Sequence, residues 1–232
     1  MIPIRAILFA CLLCVFTSVF SQNRLLSFGV EVTPAYTDWR IQNVNGYENM
    51  IVYLEEQEQG NFGGAISAFI NASSESRFES SLGIGYHRGG IRTKKLTDFV
   101  TPGGPDPSIP ESVWSVVKTH SLIIPYRLKF KITPGFYVRA GFEPSYIFAM
   151  PTVFYAQYAD QLIKTKSDEY PDYIRSLNVN ANFGLGYQFS IANDMRGYVE
   201  PCINMSILGL SKEYIINRYP FYLGMTFGFE IM

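Results

Sequence analysis

The chain has 232 residues, a length that suits one domain with short appendages. Hydrophobic residues make up 47% and aromatics 16%, while charged residues make up only 17%, below the roughly 25% usual in soluble domains, so much of the surface is expected to face something other than water. A formal net charge of -1 excludes a global basic field for nucleic acid and a solvating acidic arm.

Residues 1–21 predict a secretory signal. Arg5 supplies the charge, the run from Ile7 to Val19 supplies the apolar core, and Val19-Phe20-Ser21 supplies a cleavage site before Gln22. The run falls short of the about 20 apolar residues that a retained transmembrane helix needs. A lipid anchor at Cys11 is disfavoured, because Phe9-Ala10 fits a lipidation box poorly and little apolar chain precedes it. With Cys11 and Cys14 inside the signal, Cys202 stands alone in the expected mature domain, residues 22–232, and no internal disulfide is expected.

Beyond the signal no window matches a spanning helix, so a membrane role must come from strands, which need only about 9–11 residues each when tilted. Eight segments carry the two-residue alternation of a two-faced strand. In the first, Leu26, Phe28, Val30 and Val32 oppose Ser27, Gly29, Glu31 and Thr33. The second, weaker, spans 62–70. In the third, Phe78, Leu82, Ile84 and Tyr86 oppose Glu79, Ser81, Gly83, Gly85 and His87. The fourth sets Leu122, Ile124, Tyr126, Leu128 and Phe130 against Arg127, Lys129 and Lys131, and the fifth sets Phe136, Val138, Ala140, Phe142, Tyr146 and Phe148 against Arg139, Gly141, Glu143 and Ser145. The sixth is the longest: Leu177, Val179, Ala181, Phe183, Leu185, Tyr187 and Phe189 alternate with Asn178, Asn180, Asn182, Gly184, Gly186 and Gln188. A seventh, weaker segment spans 199–207. The eighth places Phe221, Leu223, Met225, Phe227, Phe229 and Ile231 opposite Tyr222, Gly224, Thr226, Gly228 and Glu230.

The connections alternate in length. Those after strands one, three, five and seven take about twenty, twenty-five, twenty-five and ten residues; the other three are tight, at 72–76, at Thr133-Pro134-Gly135 and at 192–195 with Asn193-Asp194. The second long connection, Thr101-Pro102-Gly103-Gly104-Pro105-Asp106-Pro107, is too rich in Pro and Gly for regular structure. Long external loops, short periplasmic turns and an even strand number are the pattern of outer-membrane barrels. The expected fold is therefore an all-β, eight-stranded, antiparallel up-and-down transmembrane barrel with both termini in the periplasm.

Face composition separates this reading from a soluble ligand-binding barrel. The polar face is mostly Gly, Ser, Asn and Thr with isolated charges, which suits a narrow interior rather than a solvated outside. The apolar face carries rings near the strand ends: Phe78, Phe130, Phe136, Phe189 and Phe229 toward the turns, and Tyr36, Tyr86, Tyr146 and Phe221 toward the loops, as two aromatic girdles. Inside, Glu31, Glu79, Glu143, Glu200 and Glu230 meet Arg127, Lys129, Lys131 and Arg139, and a near-balance of five acids against four bases predicts a salt-bridged, filled lumen. A three-residue turn at 133–135 sets Lys129 beside Arg139, so a glutamate, with Glu79 the first candidate, is expected between them.

The signal ending in Phe20-Ser21-Gln22, the strand Ser80-Ser81-Leu82-Gly83-Ile84-Gly85-Tyr86 and above all Leu122-Ile123-Ile124-Pro125-Tyr126-Arg127-Leu128-Lys129-Phe130 resemble the PorT-like outer-membrane β-barrel proteins. The resemblance covers nearly the whole expected mature chain and implies fold and compartment. Some members of that family are similar to factors needed for protein secretion or gliding and others have no assigned role, so the resemblance implies no catalytic residue. Barrels of this kind commonly end on an aromatic that the insertion machinery reads; this chain ends Phe229-Glu230-Ile231-Met232, and Phe227 or Phe229 is expected to serve.

Candidate chemistry is sparse. His87 is expected on the inner face near the external end and His120 on the outer rim, where Ser121 faces the other way and no Ser-His pair forms by adjacency. Cys202, between Pro201 and Ile203, reads as a small lumen filler. Neither a metal-ligand spacing nor a nucleotide motif is present, and no cofactor is expected. Tyr155, Tyr158, Tyr170 and Tyr173 in the third external loop, with Glu55, Glu56 and Glu58 in the first, read as solvated loops or, more sharply, as a surface for a partner or glycan. The expected role is that of a non-enzymatic structural or interaction protein, with a link to secretion in view. A narrow solute channel and a membrane-embedded lipid-modifying enzyme are the alternatives. Outer-membrane lipid, the barrel-insertion machinery and other envelope proteins are the expected partners, and nucleic acid is not.

Overall fold

The computed structural model describes residues 25–43, 48–73, 77–97, 109–169, 171–212 and 216–232. The expected signal at 1–21, the Pro- and Gly-rich stretch at 101–107, the tip of the first tight turn and Tyr170 lie outside the described residues. Strands β1 (Leu25–Asn43), β2 (Glu58–Ser73) and β3 (Phe78–Thr93) are followed by β4 (Ser112–Ile123), β5 (Tyr126–Lys131) and β6 (Phe136–Ala149). The chain continues through β7 (Thr152–Gln157), β8 (Leu162–Ser167), β9 (Leu177–Ala192), β10 (Met195–Ser206) and β11 (Ile216–Ile231), with helix α1 (Glu48–Gln57) between β1 and β2.

All pairings are antiparallel, and β1 pairs with both β2 and β11, which closes the sheet into a ring. Strands β4 and β5 are one stave interrupted at Ile124-Pro125, since both pair with β3 and β6. The proline removes a ladder donor at the break; its carbonyl still accepts from Gly83 N at 2.9 Å. Strand β7 carries the β6 stave past Met150-Pro151, and among the described residues β8 pairs only with β7. The ring thus has eight staves, the expected up-and-down barrel.

Three of the external connections differ from expectation. The first holds α1 and long extensions of β1 and β2, the second loses residues 112–121 to β4, and the third contains the β7–β8 hairpin in place of an aromatic loop. Val113, Trp114, Val116 and Val117 favour strands by residue type. Above the membrane neither face meets lipid, so the strict two-face alternation that marks a spanning strand fades while the backbone pairing persists.

At the other end the turns are short. Lys131 pairs with Tyr137 across Thr133-Pro134-Gly135, and Gly135 takes a left-handed φ of 136°. Asn193-Asp194 alone separates Ala192 from its partner Met195. Met232 N bonds Asp194 O at 3.0 Å and Leu25 pairs with Ser73, so both ends of the ring lie on the short-turn side.

The two faces are inverted relative to a soluble barrel. Phe28 (60% exposed), Phe136 (53%), Phe183 (53%) and Leu223 (50%) point outward, while Glu31, Thr33, Asn71, Asn182, Glu200 and Thr226 are buried inside. An outer surface of large apolar side chains around a polar core is stable only where hydrocarbon surrounds it.

Candidate functional site in the barrel lumen

The inward parity of each stave delivers the lumen charges, and the register decides which meet. Glu31 on β1 is the hub. Its Oε1 pairs with Arg127 Nη1 and accepts Ser67 Oγ at 2.8 Å; its Oε2 lies 3.1 Å from Arg139 Nη1 and accepts Tyr198 OH at 2.7 Å. Arg139 Nη2 sits 2.6 Å from Glu200 Oε1, and Arg127 Nη2 lies 3.8 Å from Glu143 Oε2. Glu143 Oε1 also accepts Asn204 Nδ2 at 2.9 Å. Five staves, β1, β5, β6, β10 and β2, therefore meet at one carboxylate or through its two guanidiniums.

A second cluster lies toward the turns. Lys129 and Arg139 are direct partners across β5 and β6, and Glu79 is the direct partner of Lys129 on the other side. Glu79 Oε2 lies 2.5 Å from Lys129 Nζ, and its Oε1 pairs with Lys131 Nζ. Glu230 accepts Asn71 Nδ2 at 3.0 Å and also bonds Gln188, with Arg196 Nη1 at 3.9 Å. Arg196 escaped the reading of the sequence; counting it, five lumen acids face five lumen bases. Its signal was the even-numbered parity it shares with Tyr198 and Glu200, obscured by the register shift between Met195 and Arg196.

Sequence reasoning also missed the rings inside. Phe69, Tyr137 and Tyr198 form a buried cluster beside the charges, with Tyr198 6.4 Å from both other centroids. Each lies on a glycine of a neighbouring stave, Phe69 on Gly29, Tyr137 on Gly186 and Tyr198 on Gly228, where a Cβ would collide with the ring. Lys129 Nζ stands 5.0 Å from the Tyr137 centroid and the Arg139 guanidinium 5.8 Å from that of Tyr198. Above them His87 stacks on Tyr222 at 5.0 Å, and a small cavity of about 40 Å³ lined by Thr37, His87, Ser121, Asn204 and Tyr222 marks the outer end of the lumen. Cys202 is a buried free thiol against Thr226 Oγ1 at 3.4 Å.

The rings assigned to the girdles lie as follows. Phe78 and Phe130 pack at 4.9 Å, Phe136 packs on Tyr187 at 4.9 Å, and Tyr187 stacks on Phe189 at 6.4 Å, with Phe229 exposed on the same outer face. Toward the loops Tyr86 bonds His120 Nδ1 and lies 6.4 Å from Phe148, Tyr146 is exposed, and Phe221 is half-buried. Tyr36 meets Phe62 edge-on at 5.8 Å. Ser121 is buried on the inner side, away from the outward His120. Among the described residues no group of three or more His, Cys, Asp or Glu is arranged to hold a metal ion.

A closed antiparallel ring of eight staves, lipid-facing outside and charged inside, with rings at both borders, defines a transmembrane β-barrel. The chain belongs to the family described as Outer membrane protein beta-barrel domain, whose model matches residues 20–199. Its location is the bacterial outer membrane. Similar solved structures include neisserial surface protein A, at 8% identity over 90% of this chain and 99% of that one with a TM-score of 0.42. Others are the outer membrane protease OmpT of Escherichia coli (9% identity, 92% and 99%, 0.43) and Ail, the attachment invasion locus protein of Yersinia pestis (8%, 87% and 97%, 0.38). No curated protein matches the sequence.

Proposed function

We propose that the protein is a closed, non-enzymatic barrel, PorT-like in kind, that serves the outer membrane as a structural or interaction element through its external extensions or periplasmic turns. The observation that carries this reading is the Glu31 hub, which binds Arg127 and Arg139 from the opposite wall and crosses the lumen with ion pairs. A conducting path through it would have to strip buried charges of their partners, which costs several kcal/mol per ion. A secretion-linked setting follows from the PorT-like resemblance. Lipid, the insertion machinery and other envelope proteins are its proposed partners.

Reconstituted into planar bilayers, the purified barrel is expected to give no steady openings; sustained ohmic conductance would overturn the closed-lumen reading. Crosslinked capture from native outer membranes is expected to retrieve a defined envelope protein. Deletion of the gene is expected to impair export of other proteins, and export at the normal level would remove the link to secretion.

A further inference from the structure

We propose that the outward face of β3, β4, β7 and β8, directly above the lipid-facing belt, binds the phosphate groups of an anionic outer-leaflet lipid. The net charge of -1 conceals this surface, because acids and bases balance inside the lumen and leave an uneven distribution outside.

The register places the cations together. Arg88 lies opposite His120 and Arg92 opposite Val116 in the β3–β4 ladder; Val116 lies opposite Val153, and Val153 opposite Lys166. Lys118, two residues from both Val116 and His120, shares their face, and its backbone N bonds Pro151 O at 3.0 Å. Arg88, Lys118 and Lys166 all lie near enough to act electrostatically on the His120 imidazole. One step further out, Trp114 and Tyr155 stack in parallel at 5.0 Å, with Lys95 Nζ 4.4 Å from the Trp114 centroid and Lys164 Nζ 5.6 Å from that of Tyr155.

Few of these cations are paired among the described residues. Lys166 pairs with Asp168 at 2.7 Å, both well exposed, whereas among the described residues no carboxylate pairs with Arg88, Arg92, Lys118 or Lys164. Cations without a carboxylate partner among the described residues, gathered on one face, attract a polyanion, and their height selects which one. Arg88 stands two residues beyond Tyr86, about 7 Å along the strand, and His120 forms a three-ring cluster with Tyr86 and Phe148. Immediately below, Leu122, Tyr146 and Phe148 are exposed to hydrocarbon. A ligand that fills both levels has acyl chains below and phosphates above, which is the chemistry of a phosphorylated lipid rather than of soluble phosphate.

The test uses the full-length barrel in neutral detergent, with binding of fluorescent bisphosphorylated lipid A measured by titration. The triple variant Arg88→Gln, Lys118→Gln, Lys166→Gln is expected to weaken binding at least tenfold, and Arg40→Gln on β1 to leave it unchanged. Dephosphorylated lipid A is expected to bind at least tenfold more weakly than the phosphorylated form, and equimolar inorganic phosphate not to compete. Undiminished binding by the triple variant, equal binding of the dephosphorylated lipid, or displacement by inorganic phosphate would each overturn the proposal. Heat-modifiable electrophoretic mobility reports folding of each variant. Should the triple variant not fold, Arg92→Glu with Lys164→Glu at the outer, solvent-exposed edge is expected to give the same loss, and its normal binding would refute the assignment.

Discussion

Replacing Glu31 by Gln removes the one negative charge that Arg127 and Arg139 share. Removing one member of a buried ion pair costs about 3–5 kcal/mol, because the remaining charge is stranded away from water. Each guanidinium keeps a second acid, Glu143 at 3.8 Å for Arg127 and Glu200 at 2.6 Å for Arg139, so the low end applies and the expected loss is about 3 kcal/mol. The assay is equilibrium urea unfolding of the barrel in lipid vesicles; with a slope of about 2 kcal/mol per M, the midpoint falls by about 1.5 M. Combining Glu31→Gln with Arg127→Met removes both partners and is expected to cost less than the sum of the single changes, since a pair replaced as a pair is close to neutral. A loss below about 1 kcal/mol for Glu31→Gln, or strict additivity in the double variant, would refute the hub.

Three further outcomes are expected in the same unfolding assay. Gly228→Val drives a side chain into the Tyr198 ring and should cost about 1–3 kcal/mol by overpacking, whereas a neutral result would mean that the ring does not rest there. Phe183→Arg, on the lipid-facing surface, should cost about 2–4 kcal/mol, and a cost near zero would count against hydrocarbon at that height. Glu79→Gln exposes the Lys129–Arg139 repulsion and should cost about 3 kcal/mol, while Lys131→Gln, whose side chain is 35% exposed, should cost under about 1 kcal/mol. Equal losses for those two variants would show that burial does not decide the energetics there.

The spanning parts of the fold were legible because lipid outside and charge inside impose opposite chemistry on alternate residues, as in Leu177 to Phe189 against Asn178 to Gln188. The position of Lys129 beside Arg139 followed from the turn length alone. The inner rings were not legible: Tyr137 sits between Phe136 and Val138, an apolar run that hides its parity, and the glycine that makes room for it is Gly186, on another stave. The external extensions were missed because strand pairing above the membrane is held by backbone ladders without a two-faced pattern. The outer cations were invisible for the same reason, since Lys164 and Lys166 join Arg88 and Lys118 only once β8 is placed beside β7.

The ladders hold each stave only to its two neighbours, whereas the Glu31 network spans the diameter like tie rods between opposite walls. It also straddles the seam where β1 meets β11: Tyr198, which binds Glu31 on one side of that seam, rests on Gly228 of β11 on the other. Prising the ring open at this joint would strand carboxylates and guanidiniums together. Sideways opening toward the bilayer and unplugging of the lumen are therefore one event, and a barrel built this way comes apart whole or not at all.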